Sequence, residues 1–107
     1  MSKSLGDKAE KRAEAYLEDH GFIVVERNFH SRFGEIDIIA KKEGVLHFVE
    51  VKSSSLYHPL YDITPSKLQK IIKTANVYLK KNNITSAYSI DAAAVTDCVE
   101  FYENITL

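Results

Sequence analysis

Residues 34–52, GEIDIIAKKEGVLHFVEVK, decide the fold, because they have the pattern of two β-strands joined by a tight turn. The runs 35–40 and 45–52 are rich in Val and Ile, which favour strands. Residues 41–44 form a polar loop between them, and Gly44 can adopt the positive φ of a hairpin turn. The stretch therefore predicts a β-hairpin at the centre of the protein.

Charged side chains interrupt both apolar strands. Because side chains alternate between the faces of a strand, Glu35 shares a face with Asp37, and Glu50 shares a face with Lys52. Burying such groups is costly unless something compensates their charge, and a Mg²⁺ ion held by one or two carboxylates would do so. Lys52 would then lie where it can orient a water molecule or stabilise charge on a phosphate. The alternative is a solvated Glu50–Lys52 ion pair at a strand end.

The pairing register of the hairpin decides whether the acids meet. If Ala40 lies opposite Val45, then Glu35 lies opposite Glu50, and Asp37 is diagonal to Glu50 at about 7–8 Å. A slip of one residue would move the acids to the other face of the sheet. Our expected register is Ala40 opposite Val45.

The composition is that of one soluble domain spanning residues 1–107. Its net charge is −1, from 14 basic and 15 acidic residues, which argues against tight non-specific binding to nucleic acid. Cys98 is the only cysteine, so the sequence excludes an internal disulfide and a thiolate metal cluster. No apolar run is long enough to span a bilayer, and the first residues do not resemble a signal peptide. We therefore expect a cytoplasmic protein without a membrane partner.

Residues 4–20 predict a first helix. Ser4 is the expected N-cap and Gly21 the expected residue after the helix end. Apolar residues at helical spacing form its core face, namely Leu5, Ala9, Ala13, Tyr16 and Leu17. On a helical wheel Glu10 lies about 90° from the centre of this face, so it either solvates the helix or reaches a site on the sheet.

Residues 22–29 predict a strand with residues 22–25 buried. Arg27 and Arg32 follow in polar sequence, where they could contact phosphate or simply be solvated. The loop 53–62, which begins with Ser53, could face a substrate or serve only as a connector.

A second helix begins at Thr64, the expected N-cap, with Pro65 at the first helical position. Lys67, in its first turn, flanks the apolar face and could point towards the acidic site, whereas Lys70 belongs to a lysine-rich outer surface. Residues 88–95 and 99–102 predict two final strands. The resulting α-β-β-β-α-β-β order predicts an α/β fold in which two helices pack on a mixed sheet.

The order and spacing of several motifs resemble the YraN-like family of small bacterial proteins. These motifs are GDKAEKRAEAYLEDHGF (6–22), RN (27–28), GEIDIIA (34–40), FVEVKS (48–53), the TPSK helix start (64–67) and SIDAAAV (89–95). The family is similar to archaeal Holliday junction resolvases, within the restriction-endonuclease-like PD-(D/E)XK nuclease superfamily. The resemblance covers nearly the whole chain and implies a restriction-endonuclease-like fold.

The resemblance also implies roles for individual residues. Asp37 and Glu50 match metal ligands, Lys52 matches the catalytic lysine, and Glu10 matches an acid supplied by the first helix. Beside these residues, the candidate supporting positions are Glu35 and Lys67. The candidate nucleic-acid contacts are Arg27, Arg32, Ser53 and Lys70. The implied function is a Mg²⁺- or Mn²⁺-dependent endonuclease that cuts DNA, including branched or junction DNA, as a homodimer. The alternative is a non-catalytic nucleic-acid-binding module with the same fold.

The chain departs from the pattern of these nucleases at three places. Ile36 stands where the superfamily motif has proline. Ser53 and Ser54 replace an expected Thr-Arg after the lysine, and Ser89 replaces the arginine of an expected R-F-D. Two expected phosphate-contacting arginines are therefore absent.

Overall fold

Two helices cover opposite faces of a five-stranded sheet in the computed structural model, which describes residues 2–54 and 57–106, with side chains from residue 6 onward. The elements are α1 (Ser2–Asp19), β1 (Ile23–Ser31), β2 (Gly34–Lys42), β3 (Val45–Ser53), α2 (Pro65–Lys81), β4 (Tyr88–Val95) and β5 (Val99–Tyr102). The strands lie in the order β1-β2-β3-β4-β5, and only the β3–β4 pair is parallel. The predicted α/β class, element order and mixed sheet are confirmed, and a short 3₁₀ helix, Pro59–Asp62, was not predicted.

The first helix begins and ends close to the predicted positions. It starts at Ser2, so Ser4 lies inside the helix and its prediction as the N-cap is wrong. At the other end Gly21 has a φ of +88°, and the Phe22 N–H donates to the Leu17 carbonyl at 2.9 Å. This is the glycine-terminated Schellman arrangement, and it confirms the prediction for Gly21. The side chain of Leu5 lies outside the described residues. Neither described helix is long and apolar enough to cross a membrane.

The central hairpin is confirmed, but its register differs from the expected one. Glu43 and Gly44 have φ values of +50° and +80°, as a two-residue type I′ turn requires. Lys42 therefore lies opposite Val45, and the expected Ala40–Val45 pairing is wrong by two residues. The expectation failed because it assumed a four-residue loop. A shift of two residues leaves every side chain on the same face.

Each face of the sheet carries its own apolar layer. Phe48 and Val49, adjacent in β3, point into different layers. The layer under α1 contains Ala9, Ala13, Leu17, Phe22, Ile38, Ala40, Val49, Val51, Ala93 and Val95. The layer under α2 contains Phe29, Ile36, Ile39, Leu46, Phe48, Ile71, Ala75, Tyr78 and Ile90. The start of α2 is as predicted, because the Thr64 hydroxyl accepts the Lys67 N–H at 3.2 Å and Pro65 is the first helical residue.

The edge strand β1 is less buried than the sequence predicted. Phe22 is buried, but Ile23 is 69% exposed and Val25 is 48% exposed. The β1–β2 register shifts between Val24 and Glu26, which marks a bulge at Val25. The bulge and the edge position together leave these two aliphatic side chains in solvent.

A buried polar cluster joins β3, β4 and the C-terminal segment. Asp91, fully buried in β4, accepts a hydrogen bond from the His47 ring at 2.6 Å and another from the Asn104 N–H at 2.9 Å. The Ser89 hydroxyl also donates to it. The cluster satisfies the Asp91 carboxylate and holds the segment after β5 against the sheet.

Candidate active site

Asp37 and Glu50 lie side by side where β2 and β3 separate. The regular pairing ends at Ile38 and Val49, the pair immediately before them. The Val51 N–H donates to Asp37 Oδ2 at 2.8 Å, which holds the Asp37 carboxyl group beside Glu50. The observed register therefore brings the two acids closer than the diagonal arrangement expected from the sequence.

The pKa of the Asp37 carboxyl group is raised far above its ordinary value. Burial and the negative charge of neighbouring Glu50 together raise it from 3.8 to about 8, while the Val51 N–H acts in the opposite direction. Glu35 adds a smaller contribution of the same sign as Glu50. Two carboxylates at one buried position cannot both ionise cheaply, so they retain a proton or attract a cation.

Lys52 lies beside this pair on the same strand. Its Nζ is 3.3 Å from Glu50 Oε2, and both side chains are largely buried. The ion pair that the sequence offered as an alternative to a functional site is therefore present. It also keeps the lysine amine next to the carboxylates, so it leaves both interpretations of Lys52 open.

An open cleft of about 320 Å³ connects these groups to solvent. It lies on the α2 side of the sheet, where α2 contributes one wall. We call it the carboxylate cleft, and its charged lining residues are Glu35, Asp37, Glu50, Lys52, Lys67 and Lys70. Six positions singled out from the sequence, Lys67 among them, thus lie around one cavity.

Glu10 lies next to this site without lining the cleft. Burial raises its pKa, as does the charge of Asp37, while its hydrogen bond from Arg27 acts in the opposite direction. Asn28 connects Glu10 to the site. With its amide nitrogen facing the carboxylates, it donates to Glu10 Oε1 at 3.2 Å and to Glu35 Oε2 at 2.8 Å.

Asn28 is the site residue that the sequence analysis missed. It has a φ of +54° inside β1, a conformation that Asn tolerates better than most residues. An asparagine within a strand pattern is the one local signal that could have drawn attention to it, since Asn is uncommon in strands.

The donor set fits a small oxygen-preferring cation with few protein ligands. Within the described residues, no three His, Cys, Asp or Glu side chains are arranged to hold a metal ion, so Glu10 is not placed as a third ligand. Asp37 and Glu50 remain, and Mg²⁺ is commonly bound through one or two carboxylates, with water and substrate phosphate completing its shell. The carboxylate pair fits such an ion.

The other predicted nucleic-acid contacts lie outside the carboxylate cleft. Arg27 is 3.4 Å from both Glu10 and Glu14, so its charge is balanced by α1. The Arg32 guanidinium lies over the Phe33 ring, 4.8 Å from its centre. Ser53 lines a different groove on the α1 side of the sheet.

The fold and the site define an α/β protein with a mixed five-stranded sheet and a carboxylate pair beside a lysine. The chain belongs to the uncharacterised protein family UPF0102, which it matches over residues 9–95. It is 53% identical to a UPF0102 protein of Wolinella succinogenes, over the whole of both chains. It is also 55% identical to one of Helicobacter pylori strain P12, over 94% of this chain and 90% of the relative. This membership confirms the resemblance to the YraN-like family.

Proposed function

We propose that the protein is a metal-dependent nuclease that hydrolyses DNA phosphodiester bonds in the carboxylate cleft. The observation that carries the proposal is the Asp37–Glu50 pair, two carboxyl groups that line one cleft with Lys52 beside them, where burial and the charge of Glu50 raise the pKa of Asp37. Perturbed acids in an open cleft are typical of catalytic sites.

The order of the sequence motifs supports the same proposal. The resemblance to PD-(D/E)XK nucleases pairs an aspartate on one strand with a Glu-x-Lys on the next, and here those residues converge on one cavity. We therefore also propose that the fold of this chain is related to that of restriction endonucleases.

Asp37 and Glu50 would hold the cation, and the lysines around them would contact the phosphates of the substrate. A bound Mg²⁺ or Mn²⁺ would supply Lewis-acid activation of the phosphate and lower the pKa of water. Lys52 would place a positive charge where negative charge develops on the phosphoryl group, and Glu50 orients its amine. Lys67 and Lys70 would contact the flanking phosphates from the α2 wall.

The substrate we propose is DNA, including branched DNA, with two protein chains acting together. The overall charge of −1 provides no general attraction to nucleic acid, so the lysines at the cleft must supply it locally. Each chain has one carboxylate pair, and cutting two strands requires two such sites. A symmetric homodimer provides them.

Labelled junction, flap, duplex and single-stranded DNA, incubated with Mg²⁺ or Mn²⁺, test the proposal. We expect metal-dependent cleavage of at least one substrate by the wild type and none by the Asp37→Ala, Glu50→Ala double variant. Asp19→Asn is the matched control, because Asp19 is an exposed acid on α1 outside the carboxylate cleft. Binding of these substrates by the wild type without cleavage under any condition would establish the non-catalytic alternative.

A further inference from the structure

A second groove lies on the α1 side of the sheet and begins next to the catalytic lysine. Its volume is about 760 Å³, and Ser53, the residue after Lys52, forms part of its floor. Lys8 and Arg12 of α1 line one wall, and Tyr57 lines another. We call this the lateral groove. The two cavities lie on opposite faces of the sheet, and Ser53 is the last residue of β3, so a strand leaving the carboxylate cleft would pass round the end of β3 to enter the lateral groove.

Tyr57 lines this groove, and the exposed ring of Tyr61 stacks beside it. Tyr57 is 46% exposed and Tyr61 is 77% exposed, and their ring centres are 6.2 Å apart with an angle of 28° between the planes. The Tyr57 hydroxyl donates to Asp62 Oδ1 at 2.9 Å, which fixes the ring position. The pair is therefore a preorganised aromatic surface that is open to solvent.

Positive charge lines the wall formed by α1. The Arg12 guanidinium donates to the carbonyl oxygens of Thr96 at 2.7 Å and of Asp97 at 2.9 Å. These backbone oxygens fix the direction of the guanidinium without neutralising its charge, and Lys8 is exposed one helical turn earlier. The neighbouring acid Glu100 already contacts His58, at 3.1 Å.

We propose that the lateral groove binds an unpaired segment of nucleic acid, with its bases stacked on Tyr57 and Tyr61 and its phosphates facing Lys8 and Arg12. A stacking surface opposite cations is the chemistry by which proteins bind single strands without sequence preference. A duplex, whose bases are already stacked on each other, cannot use the tyrosine pair in this way. The inference rests on the proposed nuclease function and specifies its substrate, which is DNA with unpaired nucleotides beside the cleavage site.

The test compares two labelled strands of equal length and charge, dT12 and its abasic analogue, bound in EDTA so that neither metal nor cleavage is involved. One stacked base contributes about 1–3 kcal/mol, so the wild type should bind dT12 at least 5-fold more tightly. Tyr57→Ala, Tyr61→Ala should remove this preference. Tyr61→Phe keeps both rings and the Tyr57–Asp62 hydrogen bond, so it should retain the preference, and a thermal melt of each variant checks folding.

Lys8→Ala tests the phosphate contacts. It should weaken binding to both strands equally and reduce the slope of log K against log salt by about 0.7 for one lost contact on a single strand. An unchanged slope would show that Lys8 does not contact the phosphates of the bound strand.

Either of two results would overturn the inference: equal affinity of the wild type for the two strands, or a preference for dT12 that persists in the Tyr57→Ala, Tyr61→Ala variant. The inference and the nuclease proposal fail separately. Cleavage without a base preference overturns the inference alone, whereas a base preference without cleavage overturns the nuclease proposal alone.

Discussion

Asp37 and Glu50, on neighbouring antiparallel strands, lie side by side where the β2–β3 ladder ends, next to its last pair, Ile38 and Val49. A type I′ turn sets this register from the far end of the hairpin. The local geometry of two turn residues thus determines which two acids meet several residues away. The buried pair is destabilising without a proton or a cation, and the predictions for Asp37→Asn and for Mn²⁺ depend on that cost.

Asp37→Asn should change how stability depends on pH. The folded-state pKa of Asp37 is raised from 3.8 to about 8, so the stabilisation from its proton is complete below pH 4 and is lost as pH rises towards 8. In metal-free buffer the wild type should therefore lose stability across this range, with a slope approaching 1.4 kcal/mol per pH unit from this group. The Asn variant should lose less and be the more stable protein at pH 8.5, as measured by urea unfolding. Parallel curves for the two proteins would contradict the assignment.

Mn²⁺ should stabilise the wild type, because an ion that binds only the folded protein shifts the unfolding equilibrium. At 100 times its dissociation constant the gain is about 2.7 kcal/mol. The increase in Tm should be larger at pH 8 than at pH 6, since the ion must displace the proton of Asp37. The Asp37→Ala, Glu50→Ala variant should show no such increase, and an equal shift in that variant would place the ion elsewhere.

Lys52→Ala should slow cleavage much more than it weakens binding. Losing one electrostatic stabiliser of the transition state reduces the rate by about 10²-fold or more. A single phosphate contact is a small part of total DNA affinity. Single-turnover cleavage and binding on the same labelled substrate separate the two effects. Lys80→Ala is the matched control, because Lys80 is exposed near the end of α2. Cleavage that is unchanged in Lys52→Ala would indicate a contaminating nuclease.

Asp91→Ala should destabilise the protein by about 3 kcal/mol or more, because it leaves the buried His47 ring without its partner. The same change removes the acceptor of the Asn104 N–H, while the Ile105 N–H still donates to the Ile90 carbonyl at 2.8 Å. Urea unfolding measures the loss. Asp97→Ala removes an exposed acid and should change stability by less than about 0.5 kcal/mol. Similar losses in the two variants would show that the buried cluster contributes little.

Light scattering on a branched DNA substrate should report two protein chains per complex. The exposed aliphatic side chains of Ile23 and Val25, on the edge strand β1, offer a surface for a second copy. Ile23→Lys, Val25→Lys should then favour the monomer, whereas Tyr88→Lys, at an exposed position on β4, should not. One chain per complex in the wild type would exclude the dimer.

The sequence by itself determined the element order and most element ends. Strand propensity, helical spacing and capping residues act over a few positions, so β4, β5 and the start of α2 could be read directly from the chain. The same local alternation placed Asp37 on one face of its strand, and Glu50 and Lys52 together on one face of theirs. A register error of two residues did not disturb these faces, because the side-chain period of a strand is two.

Only the tertiary structure decided which groups touch. Three relationships join residues that are distant in sequence: the raised pKa of Asp37 beside Glu50, the Asn28 connection to Glu10 and the burial of His47 against Asp91. The exposure of Ile23 depends on a strand edge that no local pattern specifies. Periodicity fixes the direction in which a side chain points along its own element, whereas contact distances and desolvation depend on how separate elements pack.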